Sequence, residues 1–473
     1  MIKFGTGGWR AVIAEDFTFR NVKKLGFSMA KYIQANNLNP RVVVGHDLRF
    51  LSGRFSRALS EALAENNIEV LFIDRAVPTP MVMHAVEIEN LDMGATVTAS
   101  HNPPEYNGVK VFIKKGKDAP IRVTDELENI FNNIDDFKYH RKSFYNLIEE
   151  GSIKYYNNTN DFVDSLLEKV SIELIKKQNY NILFNPMYGV ARDIMLMCLA
   201  SLRCTVDTMN AYRDTMFGLK LPTPAEENLK EMKIRMKKAN NYSLGIATDG
   251  DSDRVAVFDN KGEYFGGNRI ILLIYYYLLE YKNESGGIVR DLNTTHMVDK
   301  IAKSYNQKVS EVPVGFKHIS EEMDKENYLL GGERNGGIKI RNHIYGKDGI
   351  LPALIFIEML AFTNKSYKDL LNEIYNKFGK LYYGSKDYLL ERIKEKDINF
   401  IKPKLKKTIS SKTNKKIIKT LSKDGYKLYL NDGTWLSVRF SGTEPLLRVR
   451  MEMQTNKEKN FMLNLVESLI KNP

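Results

Sequence analysis

Through most of the chain, short apolar runs typical of β-strands alternate with amphipathic helical patterns. In the first block, RVVVGH at 41–46, EVLFI at 69–73 and MGATVTA at 93–99 are separated by helical patterns over 52–66 and 80–90. Such alternation predicts right-handed βαβ units and a largely parallel sheet with helices on its faces.

The alternation recurs in two further blocks. Predicted strands lie at 181–186, 204–209, 243–248, 286–292, 308–314 and 328–334. Predicted helices lie at 190–202, 228–240, 268–281, 296–305 and 349–362.

The last hundred residues follow a different pattern. YKLYLNDGTWLSVRF predicts two strands joined at Asn431-Asp432-Gly433, and LLRVRMEM and a terminal helix follow it. We therefore predict three tandem α/β domains and a smaller α+β C-terminal domain. Their predicted bounds are 1–150, 151–258, 259–375 and 376–473.

Length and composition agree with a multi-domain globular protein. The chain has 473 residues, of which 43% are hydrophobic and 27% charged. The longest strongly apolar run, Ile270–Leu279, is half as long as the roughly 20 residues needed to span a bilayer. The N-terminus lacks an apolar signal core, and two cysteines cannot form a disulfide framework or a zinc site. We expect a cytoplasmic protein without a membrane partner.

The net charge of +12 is concentrated in one segment. Residues 402–427 hold ten lysines and one acid, Asp424, so nine of the twelve excess positive charges lie there. No aromatic residues are interleaved on which bases could stack. We interpret the segment as a solvated linker or an exposed helix face and expect no nucleic-acid partner.

Polar, glycine-bearing segments follow the predicted strands, where ligands bind in α/β folds. TASHNPPEYNGVK (98–110) places Ser100 on a stiff, exposed turn. A serine hydrolase is disfavoured because G-x-S-x-G is absent. On an extended segment, moreover, His101 would point away from Ser100.

The second polar segment is DGDSDR (249–254). Its alternating carboxylates, Asp249, Asp251 and Asp253, would repel one another unless a cation lay among them. Oxygen donors of this kind predict a divalent ion, with Mg²⁺ as the default. An EF-hand is excluded because its required glycine and glutamate are replaced by Arg254 and Asn260.

Two further segments carry ligand-binding side chains. GGERNGG (331–337) offers Glu333 and Asn335, which can hydrogen-bond adjacent hydroxyls of a sugar. RFSGTEPLLR (439–448) supplies donors suited to a phosphate. These are Arg439, Ser441, Gly442, Thr443 and Arg448. Neither a Walker A loop nor a dinucleotide fingerprint is present, so nucleotide chemistry is disfavoured.

Five segments, taken in order, resemble the motifs of the α-D-phosphohexomutases, which include phosphoglucomutase and phosphomannomutase. They are FGTGGWR, TASHNPPEYNGVK, DGDSDR, GGERNGG and RFSGTEP. The resemblance extends from Phe4 to about Arg448. It implies four domains around a central cleft and mixed sheets in the first three, in place of the purely parallel sheet expected from alternation.

The resemblance also implies a mechanism. Ser100 would carry a phosphoryl group and complete the magnesium site with the three aspartates. The phosphoserine would donate to the free hydroxyl of a hexose monophosphate, and a hexose 1,6-bisphosphate would return its other phosphate to Ser100. Glucose 1,6-bisphosphate would accordingly act as an activator.

Roles for other residues follow from their positions in the family motifs. His101 and Lys110 would be the general acid and base, and Arg10 and Arg254 would supply fixed positive charge. Sugar and phosphate contacts would come from Lys317, Glu333, Asn335, Arg439, Ser441, Gly442, Thr443 and Arg448.

Departures from the family pattern bear on the substrate. Asn335 stands where a serine is usual, and Gly7 where Asp or Ser is usual. NHIYGKDG (342–349) and VGFKHI (314–319) resemble the phosphoglucomutase/phosphomannomutase branch. We expect glucose phosphate first, mannose phosphate second and glucosamine phosphate third, in a monomer or homodimer.

A hypothesis from another class is a non-catalytic sugar-phosphate sensor on the same scaffold. Intact Ser100, Lys110 and the three aspartates argue against it. Measurement of the intact mass distinguishes the two, because an enzyme of this type would carry an additional phosphoryl group on Ser100.

Overall fold

The computed structural model describes residues 2–5, 7–134, 137, 142–389, 395–422, 424–440 and 446–471. Within them, strands form four separate sheets, which follow one another along the chain. The predicted α/β class, with a smaller C-terminal domain, is confirmed.

The first sheet has eight strands. They are β1 (Phe4–Gly5), β2 (Gly8–Val12), β3 (Arg41–His46), β4 (Glu69–Phe72), β5 (Met93–Val97), β6 (Tyr106–Ile113), β7 (Lys117–Asp118) and β8 (Ile153–Tyr155). Its helices are α1 (Phe19–Ala35), α2 (Ser52–Ala64), α3 (Thr79–Ile88), α4 (Ile121–Asn132) and α5 (Phe144–Glu149).

This sheet is mixed, so the purely parallel expectation is wrong and the mixed sheets implied by the resemblance are confirmed. The path runs β1-β2-β6-β5-β3-β4-β8, with β7 beside β6. Strands β3, β4, β5 and β8 pair in parallel, whereas β6 returns antiparallel to β5 after the turn that carries Ser100.

The second region contains a five-stranded sheet. Its elements are α6 (Thr159–Leu167), α7 (Ile172–Lys176), β9 (Asn181–Asn185), α8 (Arg192–Ser201), β10 (Thr205–Thr208), α9 (Lys230–Ala239), β11 (Leu244–Thr248), β12 (Val255–Asp259) and β13 (Tyr264–Phe265). Strand β9 pairs in parallel with β10 and β11, and β12 returns antiparallel to β11. Since β8 joins the first sheet and β13 the second, these sheets extend a few residues past the predicted bounds at 150 and 258.

The third region contains a four-stranded sheet. Its elements are α10 (Gly267–Glu280), β14 (Gly287–Asp291), α11 (Met297–Ser304), β15 (Val309–Val312), α12 (Phe316–Met323), β16 (Tyr328–Gly332), β17 (Ile338–Ile340), α13 (Ile350–Thr363) and α14 (Tyr367–Phe378). Strand β14 is parallel to β15 and β16, and β17 returns antiparallel to β16.

The fourth region has an antiparallel sheet. Its elements are β18 (Tyr382–Leu389), α15 (Glu395–Lys412), β19 (Ile417–Leu421), β20 (Tyr426–Leu430), β21 (Trp435–Phe440), β22 (Leu446–Met453) and α16 (Asn456–Lys471). The predicted hairpin is confirmed, because β20 pairs with β21 across a turn in which Gly433 has a φ of +79°.

The apolar run Ile270–Leu279 lies inside α10, where it is buried in the core shared by the first three regions. It packs beside α13, which is buried along nearly its whole length. Among the described residues, no helix has both the length and the apolar composition needed to cross a bilayer.

The lysine-rich segment is folded. It includes the end of α15, whose Leu405 and Ile409 pack into the core of the fourth region, and strand β19. Lys427 contradicts the interpretation as a solvated linker or exposed face: it is 1% exposed and donates a hydrogen bond to the Leu292 carbonyl oxygen. Charge counting could not distinguish this buried lysine from the other described lysines of the segment, which are partly or fully exposed.

The first three sheets share a feature that determines where the polar segments lie. Each places one segment in the turn between a strand of the parallel set and the antiparallel strand that follows: β5 to β6, β11 to β12 and β16 to β17. The carboxyl end of β5 therefore carries Ser100, that of β11 carries the three aspartates, and that of β16 carries Glu333.

Candidate active site

Ser100 lies at the turn after β5 and is fully buried, so the expectation of an exposed turn is wrong. Its backbone φ is +55°, in the left-handed region, and its amide donates to Thr98 Oγ1 at 2.8 Å. Its Oγ lies 3.3 Å from Asp249 Oδ2 and 3.3 Å from His101 Nδ1. The serine of the first domain and an aspartate of the second therefore meet, as the resemblance implies.

The expectation that His101 points away from Ser100 is wrong. That expectation assumed an extended backbone, in which neighbouring side chains lie on opposite faces. The positive φ of Ser100 breaks this alternation and brings the imidazole to its hydroxyl. Burial, together with Arg254 and Arg10, holds the pKa of His101 well below its usual range.

Arg49 holds the Ser100 turn in place. Its guanidinium, 1% exposed, donates to the carbonyl oxygens of Ser100, Asn102, Pro103 and Tyr106 at 2.5–3.1 Å. It also lies over the ring of a second-region residue, 4.9 Å from the centroid of Phe217.

Asp47 supports the same turn from the end of β3. One of its oxygens accepts from Thr98 Oγ1 at 2.6 Å, and the other accepts from Ser52 Oγ at 2.6 Å. Since Thr98 in turn accepts from the Ser100 amide, a continuous chain of hydrogen bonds connects β3 to the serine.

The three predicted metal ligands converge. Asp249, Asp251 and Asp253 are fully buried, and each offers a carboxylate oxygen within 4.8 Å of the others. Burial raises the pKa of Asp249 well above its usual value, and the charges of Asp253 and Asp251 add to the effect. This is the repulsion that the alternating sequence predicted.

Lys110 lies among these carboxylates. Its Nζ donates to Asp251 Oδ2 at 2.5 Å and to Asp253 Oδ2 at 2.6 Å. Burial favours the neutral amine, but the two aspartates outweigh it and raise the pKa of Lys110 above its usual value. Lys110 is therefore a buried cation at the point where the first and second sheets meet.

The donor set fits a divalent ion. Asp251 Oδ1 and Asp253 Oδ1 are buried, and neither accepts a hydrogen bond from a described residue. Carboxylate oxygens that are buried and accept no hydrogen bond are available to bind a cation, and Mg²⁺ prefers such oxygen ligands. Ser100 Oγ, beside Asp249, would complete the set.

Two arginines add positive charge around the serine. Arg10 Nη1 donates to Asn102 Oδ1 at 2.7 Å, and Arg254 Nε lies 3.8 Å from Asp249 Oδ2. Burial lowers the pKa of Arg10 to about 10. The charges of Arg254 and Arg49 add to this lowering, whereas the charge of Asp251 opposes it. Clustered, desolvated guanidinium groups of this kind favour an anionic ligand.

The turn between β16 and β17 brings Glu333 and Asn335 together. Asn335 Nδ2 donates to Glu333 Oε2 at 2.9 Å, and Glu333 is 5% exposed. Gly336 has a φ of +95°, and a Cβ there would lie 2.4 Å from the Val255 carbonyl oxygen. The glycine thus lets this turn lie directly against β12, next to the metal ligands.

Lys347 is a site residue that sequence reasoning did not select. Its Nζ lies 3.2 Å from Asp253 Oδ2, and its side chain runs beside Gly337, near Glu333. In the sequence, its segment NHIYGKDG indicates only a branch of the family. Arg49 was missed as well. It lies just after a strand, and nothing in the sequence indicates that its side chain contacts four carbonyl oxygens of the Ser100 turn.

The predicted phosphate contacts lie partly within the described residues. Arg439 and Arg448 are directly opposite on β21 and β22. Arg439 Nε donates to Asp424 Oδ1 at 2.6 Å, and Asp424 Oδ2 accepts from the Val314 amide at 2.8 Å. This links Arg439 to the loop that precedes Lys317, on α12. Ser441, Gly442 and Thr443 lie outside the described residues.

The matches to known protein families divide the chain in the same way as the four sheets do. Family models for the phosphoglucomutase/phosphomannomutase α/β/α domains I, II and III match residues 1–138, 160–262 and 266–378. The model for the C-terminal domain of the same proteins matches residues 398–462.

Relatives match over nearly the whole chain. A phosphoglucomutase/phosphomannomutase from Thermococcus kodakarensis is 30% identical, covering 98% of this chain and 97% of its own. A phosphoglucosamine/phosphogalactosamine mutase from Sulfurisphaera tokodaii is 30% identical, covering 99% and 98%. The crystal structure of a candidate phosphomannomutase from Thermus thermophilus superposes with a TM-score of 0.85 at 26% identity, covering 99% of both chains.

The fold and these matches define an isomerase of the intramolecular phosphotransferase class. The chain belongs to the phosphoglucomutase/phosphomannomutase family, the α-D-phosphohexomutases.

Proposed function

We propose that this enzyme interconverts hexose 1-phosphate and hexose 6-phosphate through a phosphoserine at Ser100 and a hexose 1,6-bisphosphate intermediate. The observation that carries the proposal is the position of Ser100 Oγ, 3.3 Å from both Asp249 Oδ2 and His101 Nδ1. A nucleophile, an acid/base group and a metal ligand thus meet at one buried point.

The reaction consists of two phosphoryl transfers in opposite directions. In the first, the bond between Ser100 Oγ and phosphorus breaks and a bond from the free sugar hydroxyl to phosphorus forms. The hydroxyl proton passes to a base, and Ser100 Oγ gains a proton. In the second, the other phosphate of the bisphosphate returns to Ser100, which leaves the isomeric monophosphate.

His101 and Lys110 serve these proton transfers and stabilise charge. His101 is in contact with Ser100 Oγ, so it is positioned to exchange a proton with that atom. Lys110, Arg10 and Arg254 place fixed positive charge around the transferring group. Mg²⁺, held by Asp249, Asp251, Asp253 and Ser100, would neutralise negative charge on that group.

The remaining predicted residues hold the sugar phosphate. Glu333 would accept hydrogen bonds from sugar hydroxyls, and Asn335 would donate hydrogen bonds to them. Arg439, Arg448, Ser441, Gly442, Thr443 and Lys317 would hold the phosphate that does not react. Asp424 supports this assignment, because it connects Arg439 with the loop before Lys317.

Glucose phosphate is the substrate we propose first, with mannose phosphate second and glucose 1,6-bisphosphate as activator. A hexosamine phosphate is another candidate. It is favoured by the relatives named as phosphoglucosamine mutases, including one from Methanocaldococcus jannaschii at 30% identity. Comparing kcat/KM for glucose, mannose and glucosamine phosphates distinguishes these candidates directly.

The proposal is tested with Ser100→Ala. This variant should lose several orders of magnitude in kcat and should lack the phosphoryl mass found on the wild-type chain. Thr248→Ala is a matched control, since Thr248 is also a buried hydroxyl at a strand end and its Oγ1 has no hydrogen-bond partner among the described residues. Wild-type turnover by Ser100→Ala would refute the phosphoserine mechanism.

A further inference from the structure

A cavity that Ser100 does not line lies where the first three regions meet. Its volume is about 650 Å³, within the range of small-molecule sites. It is lined by the end of α3, the turn after β6, the end of α6, and the segment that runs from β17 to Tyr345. None of the predicted site residues lines it.

Three ammonium groups surround one aromatic ring in this cavity. The Nζ atoms of Lys115, Lys117 and Lys339 lie 5.2, 5.0 and 4.8 Å from the centroid of the Tyr345 ring. We call these four residues the Tyr345 cluster. Lys115 and Lys117 belong to the first region and Lys339 and Tyr345 to the third, so the cluster spans a domain boundary.

One carboxylate offsets these three charges. Asp324 pairs with Lys117, and its Oδ1 lies 3.4 Å from Lys339 Nζ. The side chain of Lys339 is 6% exposed, and burial lowers its pKa despite Asp324. The three ammonium groups thus outnumber the one carboxylate that pairs with them, and one of them belongs to a nearly buried lysine.

Other charged residues line the cavity as well. Arg341 pairs with Glu284, and Glu326 pairs with Lys308 at 2.5 Å. Glu87 also lines the cavity; burial raises the pKa of its carboxyl, and the charges of Lys115 and Lys339 oppose that shift. Glu168 and Lys169 contribute one charge of each sign.

The backbone at Lys115 is unusual for a lysine. Its φ is +68°, in the left-handed region that side chains other than those of Asn and Asp rarely adopt. The next residue, Gly116, has a φ of +71°, and a Cβ there would lie 2.2 Å from the Met83 carbonyl oxygen. The turn is thus held against α3 in a conformation that keeps the Lys115 ammonium group over Tyr345.

We propose that this cavity is a binding site for a small phosphorylated molecule, whose phosphate is held by Lys115, Lys117 and Lys339. Phosphate oxygens would accept the hydrogen bonds that the three ammonium groups now direct toward a single carboxylate and an aromatic face. The site is separate from the proposed active site. It adjoins the catalytic machinery through the chain, because Tyr345 precedes Lys347 by two residues and Lys347 contacts Asp253.

The first test locates an anion directly. Crystals of the full chain are soaked in tungstate, a phosphate analogue, and its position is found by anomalous scattering. We expect one tungstate against the Lys115, Lys117 and Lys339 ammonium groups. Tungstate found elsewhere, with none in this cavity, would overturn the proposal without requiring any variant to fold.

The second test uses calorimetric titration with inorganic pyrophosphate in the absence of Mg²⁺. The Lys115→Asn, Lys117→Gln double variant removes two charges, and asparagine tolerates the positive φ. Pyrophosphate binding at this site should weaken about tenfold or more, while binding at the active site remains as an internal reference. Lys114→Asn is the matched control, since Lys114 lies in the same turn but pairs with Asp92. If the double variant binds pyrophosphate at both sites with the same affinities as the wild type does, the assignment is refuted.

Discussion

At the residue scale, the position of Ser100 depends on Arg49 as much as on its own turn. Four carbonyl oxygens of residues 100–106 accept hydrogen bonds from this single buried guanidinium. A carbonyl that is buried without a partner costs about 1–3 kcal/mol, so the turn cannot keep this shape without the arginine. On the proposed mechanism, Arg49 would thus be a positioning residue, which acts on the reaction through Ser100.

Arg49→Met should lower the free energy of unfolding by about 2–4 kcal/mol and kcat by at least about tenfold. The phosphoserine content, read from intact mass, should fall along with kcat, which a purely structural role elsewhere would not produce. Arg54→Met is the control, because the Arg54 guanidinium lies over the Phe19 ring, 5.3 Å from its centroid, and does not contact the turn. If both variants keep the wild-type kcat and phosphoserine content, Arg49 does not position the serine.

A second prediction at this scale concerns the metal. Asp251→Asn removes one full charge from the donor set, so Mg²⁺ affinity measured by calorimetry should fall about tenfold or more. Chelation of the metal should reduce turnover of the wild type, and added Mg²⁺ should restore it. Asp259→Asn, at the end of β12, keeps the oxygen that accepts two backbone amides and should leave Mg²⁺ affinity unchanged. Unaltered Mg²⁺ binding by Asp251→Asn would place the ion elsewhere.

At the element scale, the site depends on three turns, each between a parallel strand and its antiparallel neighbour. Two of these turns contain positive φ angles, at Ser100 and at Gly336. The third turn contains a positive φ angle as well, at Ser252, between the proposed metal ligands Asp251 and Asp253. Strand–turn–strand packing thus brings side chains from three sheets to one point.

Gly336→Ala tests how far the sugar-binding turn depends on this packing. A Cβ at this position would meet the Val255 carbonyl oxygen at 2.4 Å, so the turn must move away from β12. We expect a loss of about 2–3 kcal/mol in unfolding free energy and a lower kcat/KM for hexose phosphate.

Gly433→Ala provides the control for backbone strain alone. Its φ is +79°, but a Cβ there would have no atom within 4 Å. Gly433→Ala should lower the free energy of unfolding by about 1 kcal/mol and leave kcat/KM unchanged. Identical effects of the two substitutions on kcat/KM would show that the contact with β12 does not matter.

The strands and the polar segments could be predicted from the sequence, because both depend on local pattern. Ser100, Glu333 and the three aspartates were selected as candidates in this way, since each follows an apolar strand. The orientation of His101 was mispredicted, because a single positive φ reverses the alternation of side chains. Lys347 could not be found by local reasoning, since its contact with Asp253 forms only when two regions meet.

At the scale of the whole molecule, the third and fourth regions meet through buried polar groups. Lys427 Nζ lies 3.0 Å from His296 Nε2 and 2.8 Å from Glu311 Oε2. Glu452 accepts from the His296 amide and from Trp435 Nε1, both at 2.8 Å. Burial lowers the pKa of His296 to about 3, and the charge of Arg290 adds to the effect.

This arrangement predicts a loss of stability in acid. The folded pKa of His296 lies below its ordinary value of 6.5, so the unfolded chain binds more protons between these two values. Stability present above pH 6.5 is therefore lost as the pH falls toward 3, by about 1–2 kcal/mol between pH 7 and pH 5. Urea unfolding measured across this range should show the slope.

His296→Gln should make the slope shallower without removing it, because glutamine does not titrate but burial also lowers the pKa values of His84 and His101. His318→Gln, on α12, should leave it as in the wild type. A wild-type slope in His296→Gln would mean that other groups cause the loss.

The distance in sequence between Ser100 and Arg439 has a consequence for the chain as it is made. At about 5–20 residues per second, a ribosome adds Arg439 roughly 20–70 s after Ser100. During that interval the nascent chain holds the nucleophile and, later, the aspartates, but lacks the hairpin that Asp424 connects to Val314. On the proposed mechanism, an unfinished chain lacks the anchor for its substrate's second phosphate, so it stays inactive until synthesis is nearly complete.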